Sequence, residues 1–251
     1  MDIDDNDNWE DGALTAALLY SLRGVSLRRY PCTHFYSESI LPQSILAGVY
    51  RNWPSSVDIK TISGTHRVTP GAYQARGLLS LVELLESPSY CAEDRPFWSA
   101  FSRDLTSDAF TQGVFEWLWP EIEPVRKLPG KIELSVEWVL TEDQAGYAIG
   151  PHTDAPSRLA TILIYVPVDD RSHFAGTSLY VSKNTGSARS VSPVHFKSGD
   201  FHRVFTAPFL PNTAFGFVVS PTSFHGVEKV QPLPTARRQL MLFLKYRELN
   251  A

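Results

Sequence analysis

Hydrophobic and polar positions change their rhythm about halfway along the chain. Up to about residue 125 the apolar spacing predicts helices. Residues 13–22 are apolar and rich in helix formers. Residues 37–53 carry Ile40, Leu41, Ile45, Leu46, Val49 and Tyr50 close to a 3.6-residue period, and residues 77–85 (GLLSLVELL) have the same character. Between 95 and 119, Phe97, Trp98, Phe101, Leu105, Phe110, Phe115, Leu118 and Trp119 make an aromatic stripe. The ordinary role of such a stripe is core packing. Thr106-Ser-Asp108 interrupts it and suits a helix restart with an N-cap. Residues 54–75 contain Pro54, Gly64, Pro70 and Gly71 and are expected as loop; the polar stretch 66–76 suits either a cover over a site or a plain surface loop.

From Lys131 onward the pattern shortens to runs of β character. They fall at 132–140, 159–167, 177–182, 190–196, 201–206, 213–219, 224–230 and 238–246, with glycine, proline and asparagine between them. Many short strands at this spacing predict a sandwich or barrel. Helices first and strands afterwards predict one α+β domain over residues 1–251, with a helical part at 1–125 buttressing a β core at 130–247.

Composition narrows the function classes. Hydrophobic residues are 43%, enough for a sizeable core, and the formal net charge is −4. No basic footprint of a nucleic-acid binder is visible. Two cysteines, Cys32 and Cys91, cannot build a disulfide framework or a multi-cysteine zinc site, and both are expected as buried thiols. The acidic start lacks the positive region and apolar run of a signal peptide. No stretch approaches the length of a membrane span. The expectation is a soluble, cytoplasmic protein with no nucleic acid and no membrane among its partners.

Candidate chemistry sits in the β half. In extended chain, positions i and i+2 share a face. His152 and Asp154 can therefore share one metal ion, with His225 supplying a third ligand from another strand. Two histidines and one carboxylate, with the remaining positions open, are the pattern of non-haem Fe(II) sites. His34, His66, His173, His195 and His202 lack a carboxylate two residues on; His195 and His202, on expected strands, stay open as alternative ligands. Trp138 and Tyr147 lie just upstream, as pocket wall or as core. Gly-x-Gly-x-x-Gly, Walker-type and Gly-x-Ser-x-Gly motifs are absent.

With His152-x-Asp154 after the Gly146, Gly150 and Pro151 turn, and His225 followed by Arg237, residues 130–247 resemble the 2-oxoglutarate and Fe(II)-dependent oxygenases, in their prolyl-4-hydroxylase-like branch. The resemblance implies a double-stranded β-helix (jelly-roll) core with N-terminal helices packed on its major sheet. It implies that His152, Asp154 and His225 are the catalytic metal ligands for Fe(II), with 2-oxoglutarate as cosubstrate and O2 as oxidant. That branch carries Arg-x-x-Thr-x-x-x-Tyr after the metal motif, and this chain reads Arg158-Leu-Ala-Thr161-Ile-Leu-Ile-Tyr165. By resemblance Thr161 and Tyr165 contact 2-oxoglutarate. Parity agrees: Thr161, Leu163 and Tyr165 share one face, and Ile162, Ile164 and Val166 form an aliphatic face suited to the helices.

The family also places a basic residue after the distal histidine for the far carboxylate. Arg237 and Arg238 are the candidates. Arg238 shares parity with the leucine stripe Leu240, Leu242 and Leu244, so Arg237 should look inward with Gln239 and Met241. The planar fork of arginine suits a carboxylate. Gln239 stands where many relatives carry Ser or Thr. The implied reaction is hydroxylation or another oxidation of an unactivated C–H bond in a small molecule or biosynthetic intermediate, with succinate and CO2 as co-products. A protein or peptide side chain is the alternative substrate. Two other classes stand beside this one: a cupin-like metal-binding protein or dioxygenase that does not use 2-oxoglutarate, and a non-catalytic jelly-roll binding module.

Overall fold

Apolar stripes and capping residues set the helices. The computed structural model describes residues 9–55, 59–61, 75–87, 95–184, 196–233 and 235–249. Helix α1 (Ala13–Arg23) buries Leu14, Leu18 and Leu22, four residues apart on one face. Helices α2 (Gln43–Arg51) and α3 (Leu81–Glu86) are short. The aromatic stripe is divided between α4 (Arg95–Leu105) and α5 (Asp108–Ile122). The restart is at Ser107, whose hydroxyl accepts the Phe110 amide at 3.2 Å. Buried Asp104 clasps α1 onto α4 by accepting the Trp9 indole N–H and the Leu14 amide, both at 3.0 Å.

The helical reading of the first part needs correction at two places. Residues 37–53 are not one helix: strand β1 (His34–Glu38) precedes α2. Residues 77–85 divide into strand β3 (Arg76–Ser80) and α3. In the first, β1 takes only Ser37 and Glu38 of the range and the helix starts after Pro42; in the second, strand pairing overrides the local apolar pattern. At the second, Ser80 and Glu83 form a capping box that restarts the helix. Strand β2 (Lys60–Thr61) lies inside the expected loop.

In the second part the strands are β4 (Ile132–Asp143), β5 (Ile149–His152), β6 (Arg158–Tyr165), β7 (Ser178–Ser182), β8 (Phe201–Thr206), β9 (Thr213–Val218), β10 (His225–Val227) and β11 (Arg237–Glu248). The sequence reading lacked β5, because Gly150 and Pro151 read as turn. Its position explains the proline: β5 lies at a sheet edge, where a missing N–H breaks no ladder. The expected strand at 190–196 lies outside the described residues except for Phe196, as do Cys91 and most of the expected covering loop.

Two antiparallel sheets result, one of seven strands in the order β1-β9-β6-β11-β4-β3-β2 and one of four in the order β5-β10-β7-β8. Because β3 pairs with β4, the N-terminal part and the β core share one sheet. The large sheet is sandwiched. On one face Ile162, Ile164, Val166, Leu240, Leu242 and Leu244 pack with α1, α4 and α5. On the other, Leu163, Tyr165, Phe215 and Phe217 join Leu179 of the small sheet. The space between the sheets holds the site. No described helix is long and apolar enough to cross a membrane.

Candidate metal centre

The turn from β4 into β5 passes through Gly146 at φ +91°, a backbone state that L side chains rarely adopt. It delivers His152 at the end of β5, directly opposite His225 at the start of β10. A Cβ on Gly226 would lie 2.5 Å from the Ile149 carbonyl, so glycine there lets the two strands approach. The two imidazole centroids are 4.2 Å apart. Ligand atoms of His152, Asp154 and His225 all lie within 4.8 Å of one another, and all three residues are buried.

The hydrogen bonds around the triad suit a metal. Nδ1 of His152 is 2.9 Å from the Gly150 carbonyl, and Nδ1 of His225 is 3.1 Å from that of Ser223. A carbonyl only accepts, so each ring carries its proton on Nδ1, and Nε2 is the nitrogen able to ligate. Burial holds the His225 pKa below its ordinary value, which keeps the ring neutral. Asp154 accepts from Thr161 Oγ1 at 2.6 Å and from Arg158 Nη1 at 2.7 Å. Burial pushes its carboxyl up, but His225, Arg158, His152 and the Thr161 hydroxyl together pull it down to about 2. An ionised carboxylate and two imidazoles form a donor set for a divalent transition metal.

A cavity of about 270 Å³ opens on this triad. Thr161, Leu163, Gln239, Met241 and Phe243 of the large sheet line it, with Arg158 stacked 3.5 Å over the Phe243 ring. Strand β11 alternates as expected, with Leu240, Leu242 and Leu244 under the helices. Arg237 faces inward but is sealed: its side chain is 0% exposed. It donates to Asp143 Oδ2 at 2.8 Å, to the Ala175 carbonyl at 2.5 Å and to Thr177 Oγ1 at 3.3 Å. Tyr165 is also fully buried behind the wall, its hydroxyl accepting the Thr177 amide at 3.1 Å. Arg238 lies on the helix side, paired with Glu142 at 3.0 Å and 5.4 Å from the Trp53 ring centroid.

Among the described residues, the structure does not gather the other histidines here. His34 is buried against Phe205 and Phe215, His173 and His202 are exposed, and His66 and His195 lie outside the described residues. Trp138 is core under the helices and donates to the Leu105 carbonyl at 2.9 Å. Tyr147 is buried and takes a hydrogen bond from Arg76 Nη1 at 2.6 Å.

Sequence reasoning missed Arg76 and Asp143. Arg76 lines the cavity. Asp143 is buried between two guanidinium groups, with Arg76 Nε at 2.8 Å on one oxygen and Arg237 Nη1 at 2.8 Å on the other. A trace was present: Asp143 has the parity of Glu137, Val139 and Thr141 on β4, and two of those line the cavity.

No family model matches the chain, and no curated protein matches it. Solved structures do. The chain is similar to 2-oxoglutarate and Fe(II)-dependent oxygenases. A prolyl-4-hydroxylase from Pseudomonas putida is 12% identical, with 93% of this chain and 100% of that one covered, at a TM-score of 0.49. The epimerase SnoN, solved with Fe3+, alpha ketoglutarate and nogalamycin RO, is 15% identical over 94% of this chain and 84% of that one, also at 0.49. An oxidoreductase of the 2OG-Fe(II) oxygenase family from Burkholderia pseudomallei is 12% identical over 95% and 92%, at 0.44.

Proposed function

We propose that this protein is an Fe(II)- and 2-oxoglutarate-dependent dioxygenase that oxidises an unactivated C–H bond of a small molecule. The observation that carries the reading is the triad: two imidazoles and one carboxylate, with ligand atoms within 4.8 Å of one another, line one cavity. His152, Asp154 and His225 would hold Fe(II) and leave further coordination positions open. Bound there, iron supplies the redox chemistry that couples O2 and 2-oxoglutarate to substrate oxidation, with succinate and CO2 as co-products.

The chain's own residues orient and exclude. Asp154 offsets metal charge, and Thr161 and Arg158 aim it. Leu163, Met241 and Phe243 line the cavity with apolar surface that limits water. We assign the far carboxylate of 2-oxoglutarate to the buried arginine cluster of Arg76, Asp143 and Arg237. Thr161 stands at the metal end, and Tyr165 backs Thr177 of the cavity wall. The partly enclosed cavity supports a small molecule over a peptide as substrate.

Strands β4 to β11 support the double-stranded β-helix (jelly-roll) reading: the chain passes between the two sheets, large, small, large, small, small, large, small, large.

The test is anaerobic titration of the purified protein with Fe(II) and then 2-oxoglutarate, followed by visible absorption. A charge-transfer band that is absent in Asp154→Ala and His225→Ala is expected. Uptake of Fe(II) without any response to 2-oxoglutarate would favour the cupin-like alternative instead.

A further inference from the structure

We propose that Arg126 is a positioning residue of the metal centre: its guanidinium stands between the loop that carries Asp154 and the loop that leads to His225, and fixes the distance between these two ligands. The proposal rests on the metal reading of the triad above. It adds to the site a residue from the segment that follows α5, outside residues 130–247.

Asp154 sits in the loop between β5 and β6, and His225 follows the loop that leaves β9. Strands β6 and β9 pair from Tyr165 and Thr213 to Ala160 and Val218, and a last bond runs from the Val219 amide to the Leu159 carbonyl at 2.9 Å. Beyond it the two strands part. The chain before β6 leads back to Asp154, and the chain after β9 leads on to His225. Arg126 occupies this fork. Its Nη1 donates to the Arg158 carbonyl at 3.1 Å and to the Val219 carbonyl at 3.4 Å, and its Nη2 donates to the Pro156 carbonyl at 2.5 Å. One guanidinium thus joins both arms where their own ladder has ended. The planar fork of arginine can make such a bridge, whereas an ammonium gathers its donors at one point.

Each arm carries the grip to its ligand in a few bonds. On the Asp154 side, Pro156 and Ser157 are exposed, so little packing holds this loop. Arg126 holds it at Pro156, the Arg158 amide bonds the Ala155 carbonyl at 3.0 Å, and the Tyr246 amide bonds the Ser157 carbonyl at 2.9 Å. Arg158, whose carbonyl Arg126 also holds, donates to the Asp154 carboxylate at 2.7 Å. On the His225 side, Val219 leads into a turn in which the Ser223 hydroxyl donates to the Ser220 carbonyl and accepts the Ser220 amide, both at 2.9 Å. The Ser223 carbonyl then sets the His225 ring through Nδ1 at 3.1 Å. Arg126 itself is anchored to the helical layer. Its amide bonds the carbonyl of fully buried Ile122 at 2.9 Å, and its guanidinium carbon lies 5.9 Å from the Tyr246 ring centroid. Groups that orient ligands from outside the coordination sphere tune the affinity for the metal.

The experiment titrates the full chain with Fe(II) by anaerobic calorimetry, and with Co(II), a spectroscopic stand-in for iron, by visible absorption. Arg126→Met keeps an apolar stem and removes the donors. It should weaken both ions ~10-fold, the scale for groups that orient metal ligands, and shift the cobalt spectrum. That spectrum reports ligand geometry, which a loss of stability alone does not move. Arg126→Lys keeps the charge but can reach one carbonyl in place of three, so it should weaken both ions ~3-fold. It folds and reports even where Arg126→Met does not. The control is Ser107→Ala at the opposite end of α5, which loses a helix cap and should bind both ions like wild type. Wild-type affinity in Arg126→Met or Arg126→Lys overturns the proposal. So does an unchanged cobalt spectrum in Arg126→Met, or an equal loss of affinity in Ser107→Ala. Wild type that binds neither ion overturns the metal reading and the proposal with it.

Discussion

Asp143→Asn removes the one negative charge that separates Arg76 from Arg237. Both guanidinium groups lie 2.8 Å from its oxygens. The side chains of Asp143 and Arg237 are 0% exposed and that of Arg76 is 10% exposed, so water cannot replace the lost charge. An asparagine offers one acceptor and turns a donor toward a cation. Removing one partner of a buried ion pair costs about 3–5 kcal/mol. In a chain of this size each kcal/mol lowers Tm by about 2–4 °C, so the expected fall is about 6–20 °C. The assay is thermal unfolding followed by circular dichroism. The control is Glu133→Gln, which removes the partner of Arg247 at a site where the two side chains are 51% and 75% exposed. That surface pair should contribute less than ~1 kcal/mol. If Asp143→Asn melts within ~2 °C of wild type, less than a single kcal/mol would allow, the two arginines are not locked by this carboxylate. The reasoning about Arg237 would then fail with it.

Thr161→Val removes the hydroxyl that bonds Asp154 at 2.6 Å and should weaken Fe(II) binding about 10- to 100-fold; an unchanged anaerobic titration would deny Thr161 that role. Arg238→Ala loses the partly exposed Glu142 pair and the Trp53 contact, and should lower stability by about 1 kcal/mol in denaturant unfolding while leaving 2-oxoglutarate binding unchanged. Burial pushes the Cys32 thiol from 9.0 up to about 12. Stability linked to this thiol is therefore complete below its ordinary value and is lost as pH rises from there toward 12. Alkylation of the folded protein near pH ~8 should spare Cys32 in peptide mass mapping, because the thiol stays protonated and covered, and labelling at the native rate of a free cysteine would contradict this.

Much of the fold was legible because side-chain alternation is local. On β6 and β11 the period of two separates the aliphatic face under the helices from the face between the sheets, and the structure keeps that division. The end of one helix and start of the next at Ser107 was legible for the same reason, since a cap needs only its own neighbours. Strand β3 was hidden, because its apolar residues also fit a helical period and only pairing with β4 decides between the two; β1 is short, and only its pairing with β9 makes it a strand.

The site divides the same way. By itself, the sequence determined that His152, Asp154 and His225 have the chemistry of a metal set, and that Arg237 faces inward while Arg238 does not. Which charged groups meet Arg237 was decided by the tertiary structure alone. Arg76, Asp143 and Arg237 come from three strands far apart in the chain, and they meet only through sheet register. Parity says toward which face a side chain points. It cannot say whether another charge already waits there, because ion pairing is a contact between distant segments, and the placement of Asp143 between two guanidinium groups exists only once the sheet has formed.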